Sequence, residues 1–115
     1  MNEFKVLTEK IINFRNARDW EKFHNPKDVA ISLNLEASEV LEHFQWKNKE
    51  EIVEYVKNNK AEISEELADV LNYLLIMAHD LDVDLFKATI DKIEKSESKY
   101  PVEKSRGVAT KYNKL

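Results

Sequence analysis

The chain of 115 residues is 35% charged, has a formal net charge of −4, and contains no cysteine, one glycine and two prolines. That length suits one domain with a modest core, the missing cysteine excludes disulfides and thiolate ligands, and scarce Gly and Pro favour helices over a hairpin-rich sheet. Residues 101–115 hold Lys104, Arg106, Lys111 and Lys114 against Glu103, a balance of +3 that leaves −7 on the first hundred residues, so the body lacks the basic footprint of a nucleic-acid surface.

The N-terminal MNEFKVLTEK has neither the basic start nor the apolar run of a signal peptide, and no stretch reaches the ~18 apolar residues of a membrane span. A soluble cytoplasmic protein with no membrane partner is expected. A first helix is predicted over residues 2–18, with Phe4, Leu7, Ile11, Ile12 and Phe14 as its apolar stripe. The linker RDWEKFHNP follows. Asn25 before Pro26 reads as an N-cap with proline at the first helical position, and Asp28 suits the positive end of the dipole of a second helix running to about Trp46. Asn48 caps a short third helix through EEIVEYVK, and after Asn58, Asn59 and Lys60 the pattern resumes from Ala61 to Leu81. Asp84 caps a last helix through Lys99, which the Tyr100-Pro101 step ends, and the tail has no clear period. The expected class is all-α.

On a helical wheel, Val29, Leu33, Ala37, Val40, Leu41 and Phe44 share one stripe, with Glu36, Glu39, Ser32 and His43 on its flank. Residues 61–81 repeat the arrangement with Ile63, Leu67, Val70, Leu71, Leu74, Met77, Ala78 and Leu81 as core, and Glu62, Glu66, Asp69, Tyr73 and Asp80 on the matching flank. Adding 30 to each number maps Glu36 to Glu66, Glu39 to Asp69 and His43 to Tyr73. Taken singly, each acidic pair reads as a solvated boundary. No Lys or Arg stands four residues beyond any of the four acids, so intrahelical salt bridges do not account for them. Carboxylates converging at a seam either share a proton or bind a cation, and an oxygen-only set suits Mg²⁺, Ca²⁺ or Mn²⁺. Since Mg²⁺ completes its shell with water and phosphate, a phosphate-bearing small molecule is the natural partner.

The spacing Glu36-x-x-Glu39, then 26 residues, then Glu66-x-x-Asp69, together with RDWEKFH, HFQW and KYP in order, resembles the all-α nucleoside triphosphate pyrophosphohydrolases of the MazG-like superfamily. Within it the chain is similar to the small deoxycytidine triphosphate pyrophosphatase branch, and the likeness covers nearly its whole length. The resemblance implies a four- to five-helix bundle, one domain over residues 1–115 with a basic tail at 101–115, assembled as a homodimer or homotetramer. It implies that Glu36, Glu39, Glu66 and Asp69 are catalytic and hold Mg²⁺, with Mn²⁺ as a substitute, and that a nucleoside triphosphate is hydrolysed to monophosphate and pyrophosphate in nucleotide-pool house-cleaning. It also implies Trp20, His24, Trp46, Asn72 and Tyr73 as nucleotide contacts, and Lys92 and Lys99 as phosphate contacts, with Arg15 and Arg18 as further cations. His43 reads as a residue behind the metal ligands or at an interface.

One departure is Ser96, where the family's last helix commonly has Asn; a shorter hydroxyl there keeps dUTP or another noncanonical nucleotide in play as substrate. A nonenzymatic helical interaction module is the alternative from a different class, since fold does not guarantee function. Ile31, Leu35, Trp46, Ala68, Leu75 and Ile76 fall outside the two core stripes, which is the pattern of helices that bury a second face in an oligomer.

Overall fold

The computed structural model describes residues 2–115, and every described element is helical. In chain order these are α1 (Glu3–Ala17), a 3₁₀ turn (Glu21–Phe23), α2 (Pro26–Glu42), α3 (Lys49–Asp80), α4 (Leu85–Lys99), α5 (Val102–Ser105) and a final 3₁₀ turn (Tyr112–Lys114). The all-α class is as expected. Among the described residues, no helix is long and apolar enough to cross a membrane. The chain divides into two compact units, one running to Asp82 and the other Val83–Leu115.

The first unit is built on α3, against which both α1 and α2 pack. Short polar side chains start each helix by accepting otherwise unpaired backbone N–H groups. Asn2 accepts from Lys5 at 2.7 Å and Asn25 from Asp28 at 2.9 Å. Asn48 and Glu51 form a reciprocal capping box, in which each side chain accepts the other residue's backbone N–H. At the other end of α1, Asp19 takes the left-handed conformation (φ 55°), and Asp82 does the same after α3. Asp tolerates that region better than most non-glycine residues, which lets a chain with one glycine terminate two helices this way.

Where the three helices meet, Ile12, Val29 and Ile76 form the buried core, with Ile11, Tyr73 and Met77 packed against it. Each fully buried aliphatic side chain of this kind contributes about 1.5–3 kcal/mol. The single stripe predicted for residues 61–81 needs correction. Leu67 and Leu81, placed on it, are 53% and 50% exposed, whereas Leu75 and Ile76, placed off it, are 2% and 4% exposed. A single stripe assumes one partner; α3 has two, and α1 claims a side that α2 does not.

Two boundaries also differ. Helix α2 stops at Glu42 and the chain turns at His43–Trp46, with the N–H groups of Phe44 and Gln45 both donating to the Leu41 carbonyl at 2.9 Å. The predicted break near Asn58–Lys60 is a kink inside one 32-residue helix: Asn59 alone has non-helical angles (φ −129°, ψ 24°), and its amide donates to the Tyr55 carbonyl at 2.9 Å. An Asn side chain offers the backbone a local alternative to the helical ladder, so it bends the helix without ending it.

In the second unit Asp84 caps α4 by accepting from the Lys87 N–H at 3.0 Å, and the helix ends at Lys99 as predicted. The tail gains local order from Tyr112, whose ring meets Tyr100 edge-on at 6.0 Å and lies under the Lys99 ammonium at 4.7 Å.

Candidate active site

The acidic pairs stand on the two helices that pack together, Glu36 and Glu39 on α2, Glu66 and Asp69 on α3. Their fields converge on Glu36. Partial burial raises its pKa above the usual 4.5, reinforced by the Glu39 carboxyl as hydrogen-bonding neighbour and like charge, and then by the charges of Asp69 and Glu66. One oxygen of Glu36, Oε2, is buried with no hydrogen-bond partner. Such an atom is costly to leave unmatched, and a cation or an acid proton is what it calls for.

The four groups are neighbours without being a closed cage. Among the described residues, no three His, Asp or Glu side chains converge tightly enough to enclose a common ion position. Like charges resist closer approach, and Glu66 is engaged elsewhere: the imidazole of His43, at the end of α2, donates from Nε2 to its carboxylate. The donor set is nonetheless all oxygen and includes an orphaned buried acceptor, which fits a hard divalent cation such as Mg²⁺ or Mn²⁺.

Beside the acids, a cavity of about 390 Å³ is lined by Leu7, Lys10, Ile11, Phe14 and Arg15 of α1, by Trp20 and His24 of the linker, and by Asp69, Asn72, Tyr73 and Ile76 of α3. Four expected nucleotide contacts, Trp20, His24, Asn72 and Tyr73, therefore share one wall system with the acid Asp69. The α3 members sit at spacings of three and four residues, which puts them on one helical face. Trp20 is held by an edge-on contact with Phe14 at 5.7 Å. The Nδ1 atom of His24 is buried and unpartnered.

Of the remaining expected residues, Arg15 is itself in this cavity wall. Trp46, in the turn after α2, is 85% exposed and is not in the cavity wall. Lys92 and Lys99 belong to α4 in the second unit, where Lys92 and the half-buried Ser96 line a shallow surface concavity. Arg15 and Arg18 already have partners. Arg15 is 2% exposed and donates to Asp80 at 2.8 Å, and Arg18 stacks over the Phe14 ring at 3.8 Å. Apart from Arg15, the α1 wall of the cavity was not anticipated as part of a site. Its signal was present, because Leu7, Ile11 and Phe14 share the stripe read as ordinary core.

The MazG-like family matches residues 31–115. Over 104 residues the chain is 41% identical to dCTP pyrophosphatase 1 of Rattus norvegicus and 36% identical to that of Homo sapiens, in each case 89% of this chain and 61% of the relative. It thus spans about three-fifths of the length of those relatives. A solved pyrophosphatase from Archaeoglobus fulgidus superposes with a TM-score of 0.83 at 38% identity, covering 88% of this chain and 94% of that one. With the acidic pairs, the helical scaffold and this likeness all in register, the chain belongs to the MazG-like family.

Proposed function

We propose that the protein is a Mg²⁺-dependent nucleoside triphosphate pyrophosphohydrolase acting on dCTP or a modified dCTP. The observation that carries this reading is the cavity wall: Asp69 of the acidic quartet lines the same cavity as Trp20, His24, Asn72 and Tyr73. A base seated there, with aromatic faces for stacking and an amide and an imidazole for its edge, leaves its phosphates near the carboxylates. The names of the relatives support dCTP as the substrate and a pyrophosphate-releasing reaction.

Glu36, Glu39, Glu66 and Asp69 would hold the metal ion, which when bound neutralises phosphate charge and orients the triphosphate. The chain's own residues supply the rest. Trp20 and Tyr73 bind the base, and Asn72 offers both donor and acceptor to its edge. One carboxylate of the quartet takes the proton of an attacking water, so that the bond between the α- and β-phosphates is broken with uptake of one water, yielding dCMP and pyrophosphate.

We assign Trp46 to a contact with a second copy of the chain. Ile31, Leu35, Leu41 and Leu67 are all at least half exposed on α2 and α3, more apolar surface than separate monomers keep in water. A homodimer or homotetramer covers such faces.

The test is to incubate the protein with dCTP and Mg²⁺ and resolve products by phosphorus NMR. Pyrophosphate with dCMP is the expected outcome. Orthophosphate with dCDP contradicts the cleavage position, and turnover of dUTP tenfold faster than dCTP, about 1.4 kcal/mol at the transition state, contradicts the base assignment.

A further inference from the structure

His43 touches two residues at once. Its Nε2 meets the Glu66 carboxylate and its Nδ1 meets the Tyr55 hydroxyl. A carboxylate only accepts, so Nε2 carries the proton and donates; Nδ1 is then free to accept from the Tyr55 O–H, and all three groups are satisfied with a neutral ring. The imidazole is only 11% exposed and packs on the Tyr55 ring at 5.5 Å. Phe44 meets the same tyrosine edge-on at 6.3 Å, and the Lys47 ammonium lies 4.0 Å from its ring centre while donating to the His43 carbonyl at 2.7 Å.

The placement of the three residues in the fold gives this contact its meaning. Tyr55 and Glu66 lie on the same helix, on either side of the Asn59 kink, whereas His43 is the residue at which α2 ends. Eleven residues of unbroken helix make about three turns and ~16 Å of rise, so one ring that contacts both side chains spans the bend. The early stop of α2 places the imidazole there. It thereby links the end of one acidic helix to a carboxylate of the other, on the oxygen Oε2, and leaves Oε1 of Glu66 without that bond.

We propose that Tyr55 and His43 form a positioning relay that holds Glu66 in the orientation needed to bind the divalent cation. The proposal rests on the assignment of Glu66 to the metal cluster. His43 acts through Glu66 and touches neither substrate nor ion. A carboxylate fixed through one oxygen presents the other at a defined angle, and loss of such an outer partner typically weakens metal binding by about 10- to 100-fold.

The experiment is an Mn²⁺ titration, followed by electron paramagnetic resonance of the free ion, on wild type, H43L, H43Q, Y55F and E66Q, with circular dichroism checked for each. Expected are a loss of about 10- to 100-fold in H43L, recovery to within a few-fold in H43Q, whose amide still donates, and a smaller loss in Y55F. E66Q should remove the tight site. A purely structural histidine would not be rescued by glutamine at unchanged helicity. If H43L and Y55F bind Mn²⁺ like wild type while E66Q does not, the relay is overturned and the metal site stands. If E66Q also binds like wild type, both fall. Should H43L fail to fold, Y55F decides, because it removes one hydroxyl and keeps every ring contact; unchanged affinity there overturns the relay.

Discussion

Two seams on α3 handle charge in opposite ways. Against α1, Arg15 and Asp80 form an ion pair at 2.8 Å beside the aliphatic core, and each side chain supplies the charge the other lacks. Against α2, four carboxylates stand near one another, the pKa of Glu36 is raised by its burial and its neighbours, and one of its oxygens is buried without a partner. The first seam balances its charge within the chain, although the Nε of Arg15 stays without a hydrogen-bond partner. The second does not, and an imbalance that the fold leaves open is where a cationic ligand contributes free energy.

The largest effect expected is on turnover at the second seam. Glu36→Gln or Asp69→Asn should lower dCTP hydrolysis by about a thousandfold or more, roughly 4 kcal/mol of transition-state stabilisation, while helical circular dichroism persists. Retained activity in both would break the contrast, because the like charges would then be surface decoration. At the first seam the cost should fall on stability instead. Asp80→Ala leaves the buried Arg15 guanidinium unpaired and should destabilise by about 3 kcal/mol, the low end for a broken buried pair because the Asp80 side chain is 26% exposed. Thermal melting should show a fall on the order of 10 °C.

The contrast sharpens with pH in metal-free buffer. Glu36 binds its proton more tightly in the native state than in the unfolded chain, so its contribution is fully present below about pH 4.5 and is lost as pH rises through the higher native value. Relative to Glu36→Gln, metal-free wild type should therefore lose stability across that window, and the substitution that removes activity should raise the melting temperature near neutral pH. Equal pH slopes for the two proteins, measured by denaturant titration, would remove the claim that Glu36 is electrostatically frustrated. The smallest effect concerns the linker that carries Trp20. Asp19→Gly relieves a left-handed non-glycine residue at the cost of unfolded-state entropy, for a net gain of less than about 1 kcal/mol by chemical denaturation.

Much of this organisation was legible beforehand. The caps Asn25, Asn48 and Asp84 were readable because an N-cap is a local device, set by a side chain and an N–H three residues away. The thirty-residue correspondence between the acidic pairs was readable because helical phase survives whatever the helix packs against. His43 was readable only as a residue near the ligands. Tyr55, its second partner, carried no signal, since the contact joins positions 12 residues apart across a helix end and a turn.

By itself the amino-acid sequence determined the all-α class, the capped starts of α2, α3 and α4, the acidic signature and the family, all of which depend on spacing along the chain and residue chemistry. Only the tertiary structure decided which side of α3 is deepest, that Arg15 pairs with Asp80 over a separation of 65 residues, and that α1 completes the cavity around Tyr73. Those outcomes depend on how many partners a helix has and where each one crosses it. A periodic pattern records that a face is apolar, but which neighbour buries it is settled by long-range packing among all three helices.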